Sequence, residues 1–170
     1  MTIPALGELK PYPALPKWLC SEPIEIPFLE GMQMPIILTD LKDSDQDEII
    51  EAVNAFLKLS SSDRAQAAEH VFNNYKDMKD YVDESDLGCE INSAREVWPH
   101  VHPKQIYISR RRYRGKEIYV QIAAECDWEQ EHGLQIVYRK GGVLSRVSAQ
   151  DGHLSYVDAY AVSEDQDRIS

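Results

Sequence analysis

Cysteine is scarce. Cys20, Cys89 and Cys126 are odd in number, far apart and without CxxC spacing, which excludes a disulfide framework and a zinc knuckle and predicts reduced, packed thiols. Long apolar runs are missing too. No stretch approaches the roughly 18 uninterrupted apolar residues of a membrane span, so no membrane partner is expected. The first ten residues lack a basic region followed by an apolar one, and the chain reads as cytoplasmic, without a secretory signal. Also absent are a glycine-rich phosphate loop, a G-x-S-x-G elbow, an HExxH pair, a calcium loop and zinc-deaminase spacing. No catalytic residue, metal or cofactor is therefore expected, and the chain reads as a binding protein more than as an enzyme.

Basic charge is the remaining deficit. The chain carries 18 Lys/Arg against 29 Asp/Glu, a net charge of −11, and the imbalance is confined to one part. Residues 1–102 hold 8 Lys/Arg and 19 Asp/Glu, whereas residues 103–170 hold 10 of each. An acidic body repels nucleic acid and anionic lipid and draws in basic partners through a field that salt weakens. The basic stretch Arg110-Arg-Arg-Tyr-Arg114-Gly-Lys116 has the composition of a phosphate-binding tip. On so acidic a chain it is read as a solvated turn or as an internal partner for the acidic helices, so nucleic acid is not expected.

What is present is a helical stretch followed by a β-rich one, consistent with a single α+β domain over residues 1–170. Residues 1–16 hold four prolines and are expected to form an extended arm. From Trp18 to Leu38 short apolar alternations broken by Glu30-Gly31 predict a hairpin or two edge strands, with Pro23, Pro27 and Pro35 keeping them at edges. Residues 44–82 predict an antiparallel helical pair. Ile49, Val53, Phe56 and then Ala68, Val71, Tyr75 recur at helical spacing, with caps near Ser44 and Asp63. Ser93-x-x-Glu96 signals a brief third helix, stopped at Pro99. From Gln105 the period becomes two, which predicts an antiparallel β-meander over residues 104–162, with Val120, Ile122, Leu134, Ile136 and Val147 inside and the helical pair packed on one face. Leu154–Val162 would supply a fifth strand, and Ser163–Ser170 would be frayed.

One region concentrates chemistry. Asp127, Trp128, Glu129, Glu131 and His132 precede a hairpin that ends near Asp151 and His153. Carboxylates and imidazoles are ligands for a divalent ion, and Glu131, His132, Asp151 and His153 form the candidate set for a metal-dependent enzyme. The competing reading is a hydrogen-bonded structural corner, which the sequence favours because no established ligand spacing is present. His100-Val-His102 could present two imidazoles on one side of an extended segment, but without an obvious third ligand the pair reads as structural.

The C-terminal half resembles a known family. Cys126-Asp-Trp128-Glu, Glu131-His-Gly-Leu-Gln135, Arg146-Val-Ser and Asp151-Gly-His-Leu154 resemble the pattern of a bacterial family described only as a domain of unknown function, over roughly residues 94–160. Members of that kind occur near polymorphic-toxin systems, where immunity proteins are common. The resemblance implies an association and carries over no catalytic residue. Together with the acidity, it predicts an immunity-type inhibitor that covers a basic protein partner by surface complementarity. Contact candidates are Asp43, Asp45, Asp47, Glu48 and Glu51 near the acidic edge of the first helix, or Asp83, Glu84 and Asp86 in the loop after the second. A third reading is an assembly module in which a sheet edge or the proline arm pairs copies of the chain; the oligomeric state is left open.

Overall fold

The structure, a computed structural model, describes residues 1–82, 87–112 and 115–170. Strand β1 (Thr2–Ile3) pairs antiparallel with β2 (Gly7–Glu8), and β3 (Lys10–Tyr12) pairs antiparallel with β4 (Leu15–Cys20). Next comes a small hairpin of β5 (Ile24–Ile26) and β6 (Met32–Met34). Its connection is a 3-10 turn at Pro27–Leu29, followed by Glu30 and Gly31 at positive φ. Strand β7 (Ile36–Leu38) leads to helix α1 (Gln46–Phe56) and then α2 (Ser61–Lys79). Two 3-10 turns, Ala94–Glu96 and Trp98–His100, precede four long strands: β8 (Val101–Arg110), β9 (Ile118–Cys126), β10 (Glu129–Arg139) and β11 (Val143–Ala149). A short helix α3 (Tyr156–Tyr160) follows.

The expected architecture, a helical pair on a C-terminal antiparallel meander, is overturned. The main sheet has seven strands in the order β11-β10-β9-β8-β7-β4-β3, so strands from before the helices are built into it. It is also mixed. The links between β8, β9, β10 and β11 are too short for a crossover, which leaves antiparallel pairing. β7 instead lies parallel to β8, with Ile36, Ile37 and Leu38 opposite Ile106, Tyr107 and Ile108. A parallel neighbour needs a long connection, and the stretch carrying α1 and α2 between Leu38 and Val101 supplies it. Pro35 lies just outside β7 and therefore does not confine it to an edge; all three residues of that strand are buried. Leu154–Val162 adds no fifth strand. The Ser155 hydroxyl accepts the backbone N–H of Asp158 at 3.3 Å, and this cap starts α3.

The chain divides into two compact units. The first comprises Met1–Ser61, Gln105–Gln121 and Tyr138–Val143. In it α1 buries Ile49, Ala52, Val53 and Phe56, the i, i+3, i+4, i+7 stripe of an amphipathic helix. Phe56 and Phe28 both meet the ring of Tyr138 edge-on, at 6.2 and 5.6 Å between centroids. Gly141, at φ +74°, lies so close to the Ala52 carbonyl that any Cβ would collide with it.

The second unit comprises Ser62–Lys104, Ile122–Val137 and Leu144–Ser170. Its helix α2 buries Ala67, Ala68, Val71 and Tyr75. Helix α1 thus falls in the first unit and α2, from Ser62 on, in the second. Val120, Ile122, Leu134, Ile136 and Val147 are buried, as the twofold period predicts. Among the described residues no helix is long and apolar enough to cross a membrane.

Candidate functional site

Strand β9 ends at Cys126 and β10 begins at Glu129, so Asp127 and Trp128 form a two-residue turn in the second unit. Asp127 holds three segments together. Its backbone N–H donates to the His100 carbonyl at 3.1 Å, and its carboxylate faces His100 Nδ1 at 2.8 Å and His102 Nε2 at 2.7 Å. Burial opposes the charged form of Asp127. The two imidazole hydrogen bonds outweigh it and leave the carboxyl below its usual range. Gly88, at φ +71°, packs against the Asp127 carbonyl. The His-x-His pair thus has its third group, donated by a turn 25 residues away in sequence from His102.

Trp128 points the other way, into the core. It is 3% exposed, its indole N–H donates to Asn74 Oδ1 at 3.1 Å, and its ring meets Tyr75 of α2 edge-on at 5.9 Å. The Tyr75 hydroxyl in turn accepts the backbone N–H of Ile91 at 3.2 Å.

The acidic-imidazole run that follows is a folded corner. Glu129 turns its carboxylate back onto its own strand and accepts the N–H groups of Glu131 and His132 at 2.9 and 3.2 Å, with His132 Nδ1 at 3.4 Å. Successive amides converging on one carboxylate form a small anion nest, filled here from within. Burial works against the Glu129 charge, but these bonds prevail and hold its carboxyl below the usual range. Gly133, at φ +66°, sits within β10 where a Cβ would collide with the Ala124 carbonyl. That carbonyl also accepts Gln150 Nε2 at 3.0 Å. The side chain of His132 is mostly exposed, and Glu131 contributes its amide to the corner.

A second corner gathers Gln135, Arg146, Asp151 and His153. The Arg146 side chain is 3% exposed and grips both oxygens of Asp151, at 2.9 and 2.6 Å, and the His153 carbonyl at 2.8 Å. Gln135, fully buried, donates through Nε2 to Ser148 Oγ, Asp151 Oδ1 and the His153 carbonyl within 3.2 Å. Desolvation acts against the Asp151 charge; the guanidinium and the His153 amide win, and its carboxyl lies below the ordinary value. Both oxygens of Asp151 face one guanidinium, whose positive charge disfavours a cation beside them.

Three clusters therefore emerge where the sequence suggested one. Asp127 joins His100 and His102, Glu129 joins His132, and Asp151 joins Arg146, Gln135 and His153. Glu131, His132, Asp151 and His153 share no common hydrogen-bonded cluster, and among the described residues no group of three or more His, Cys, Asp or Glu has an arrangement that could hold a metal ion. Sequence reasoning assigned no role to Gln135 or Arg146. The available signal was an arginine inside an apolar alternation with an aspartate five residues on, since a buried guanidinium demands a carboxylate.

In the first unit the acidic residues of α1 and of the 3-10 turn Asp43–Asp45 before it divide into two sets. Arg110 of β8 reaches Asp45 Oδ1 at 3.0 Å and both Glu48 oxygens at 2.9 and 3.0 Å. The hydrogen bond from Arg110 holds the Glu48 carboxyl below its usual range. Asp43, Asp47 and Glu51 are exposed and follow one another at i, i+4 and i+8. Asp83, Glu84 and Asp86 lie outside the described residues, as do Tyr113 and Arg114 of the basic tip.

These features define an α+β domain on a mixed sheet whose motif residues are tied into internal polar corners. The chain belongs to the family described as Domain of unknown function (DUF6985), whose model matches residues 5–154 and so takes in strands β2 to β7 and helices α1 and α2. Comparison with curated proteins and with solved structures finds no match.

Proposed function

We propose that this chain is a protein-binding module that covers a basic surface on its partner, and that inhibition of a toxin is the concrete form of that activity. The observation that carries the reading is the placement of charge. All the excess acid lies in residues 1–102, and the carboxylates of Asp47 and Glu51 stand exposed four residues apart on α1, with exposed Asp43 in the 3-10 turn just before it. The Arg110 bridge supports it: Asp45 and Glu48 fix the start of the helix, which leaves these carboxylates as a preformed edge. An inhibitor of this kind needs no reacting group, only a complementary field and a rigid frame.

The test is to express the chain with the product of the gene immediately upstream and to follow association at low and physiological salt. A complex whose on-rate falls steeply with salt is expected, and D47K/E51K should slow association by roughly tenfold. D45K is the wrong probe, because it breaks the Arg110 bridge. No complex, or an on-rate indifferent to salt and to D47K/E51K, contradicts the reading.

A further inference from the structure

The two edges of the seven-stranded sheet are protected differently. At one end β3 is only three residues long, Lys10-Pro-Tyr12, and carries the charge, proline and brevity with which natural edges discourage strand addition. At the other end β11 runs seven residues, Val143-Leu-Ser-Arg-Val-Ser-Ala149, without a proline. Its single charged side chain, Arg146, is turned inward onto Asp151. By the usual rules this is an inviting edge.

It is covered from within the chain. The Val147 N–H donates to the Ile169 carbonyl at 2.8 Å, so residues 163–170 are not the frayed tail that their composition suggests. The segment is pinned on both sides of that bond. The Arg168 guanidinium lies 4.2 Å above the Tyr156 ring and also bonds its hydroxyl, and Ser170 Oγ meets His70 Nδ1 at 2.9 Å. The Val157 N–H also donates to Asp167 Oδ1 at 3.4 Å, and the side chains of residues 163–168 are exposed. The segment also lies beyond the family match, which ends at residue 154, whereas β11 lies within it.

We propose that residues 163–170 form a displaceable strap over β11, and that the freed edge takes a second copy of this chain by antiparallel β11–β11 pairing. A second copy is the fitting occupant because an edge without exposed charge presents nothing to repel itself, and antiparallel pairing of one strand with its copy closes as a two-fold dimer. In an antiparallel strand the N–H and C=O of one residue face the same side and alternate along the chain. Since Val147 faces outward, Ser145 and Ala149 do as well, and three outward residues suffice for a ladder. The inference concerns an edge separate from the acidic residues of α1 and stands or falls without them.

The experiment is sedimentation velocity on the full chain and on the chain ended after Val162, with circular dichroism confirming that each is folded. The full chain is expected to be monomeric, the shortened chain to dimerise with rising concentration, and A149P in the shortened chain to restore the monomer by removing an outward N–H. A folded shortened chain that stays monomeric, a dimer indifferent to A149P, or a full chain that already dimerises overturns the proposal. Should the shortened chain fail to fold, R168A/S170A in the full chain is read instead. Amide exchange at Val147 should accelerate by roughly tenfold and a dimer should appear; exchange unchanged from the parent, or faster exchange without a dimer, overturns it.

Discussion

Single residues in the motif region act through geometry. Gly133 has no alternative at its position: it combines a positive φ with a backbone carbonyl where a Cβ would go. Gly133→Ala should destabilise the fold by about 2 kcal/mol or more, measured by urea denaturation with an unchanged m-value. Gly152, at φ +79° with open space around it, should tolerate alanine better, losing only the conformational term. Asp151 matters as the partner of a buried cation. Asp151→Asn should cost about 2 to 3 kcal/mol because it leaves Arg146 desolvated and half-paired. An equal loss on removing Glu131, whose carboxylate has no part in that corner, would show that the corner is not what the motif maintains. Burial pushes the Cys126 thiol up to about 12. It should therefore react with a thiol reagent only as the protein opens, later than the half-buried Cys20 and Cys89, with site-resolved mass spectrometry as the readout.

Elements were legible where the pattern is local. The stripe Ile49, Val53, Phe56 marks the buried face of α1, because periodicity reports which face is covered. The alternation through Val120, Ile122, Leu134 and Ile136 finds buried residues but misses that Tyr119, Ala123, Gln135 and Val137 between them are buried as well. Pairing was not legible. Ile36-Ile37-Leu38 is too short to alternate, and a run buried on both faces was the available sign that this strand is interior rather than marginal. Its parallel neighbour follows it by some sixty residues, and nothing in either strand names the other. The polar corners were half legible. The right residue types were visible, but Asp127 was grouped with the acids beside it when its partners are His100 and His102, which the sequence left as an orphan pair. Ser155 carries the same lesson at a boundary, since a serine followed three residues later by Asp158 is a capping signal. Ser155→Ala should destabilise by about 1 kcal/mol and release α3 first, visible as faster amide exchange at Val157–Tyr160 with β9 and β10 unchanged.

For the molecule as a whole, the net charge of −11 and the internal carboxylates pull stability in opposite directions as pH falls. From neutrality toward the isoelectric point near 4.8, general self-repulsion relaxes and stability should rise slightly. Below that, a different set of groups takes over. Asp127, Glu129 and Asp151 all titrate lower in the folded state than in the unfolded chain. A depressed carboxyl contributes stability that is fully present above its unfolded value, about 4, and is lost as pH falls through its folded value. Thermal melts should therefore show a maximum near pH 5 to 6 and a steep decline below about pH 4. D151N and E129Q, already weaker at neutral pH, should lose less on acidification than the parent. The two effects separate with salt: at pH 7 added sodium chloride should raise the melting temperature by screening repulsion, whereas below pH 4 it should not restore what the protonated carboxyls have given up. Parallel acid limbs in the parent and in D151N/E129Q would mean that these corners do not govern the acid response.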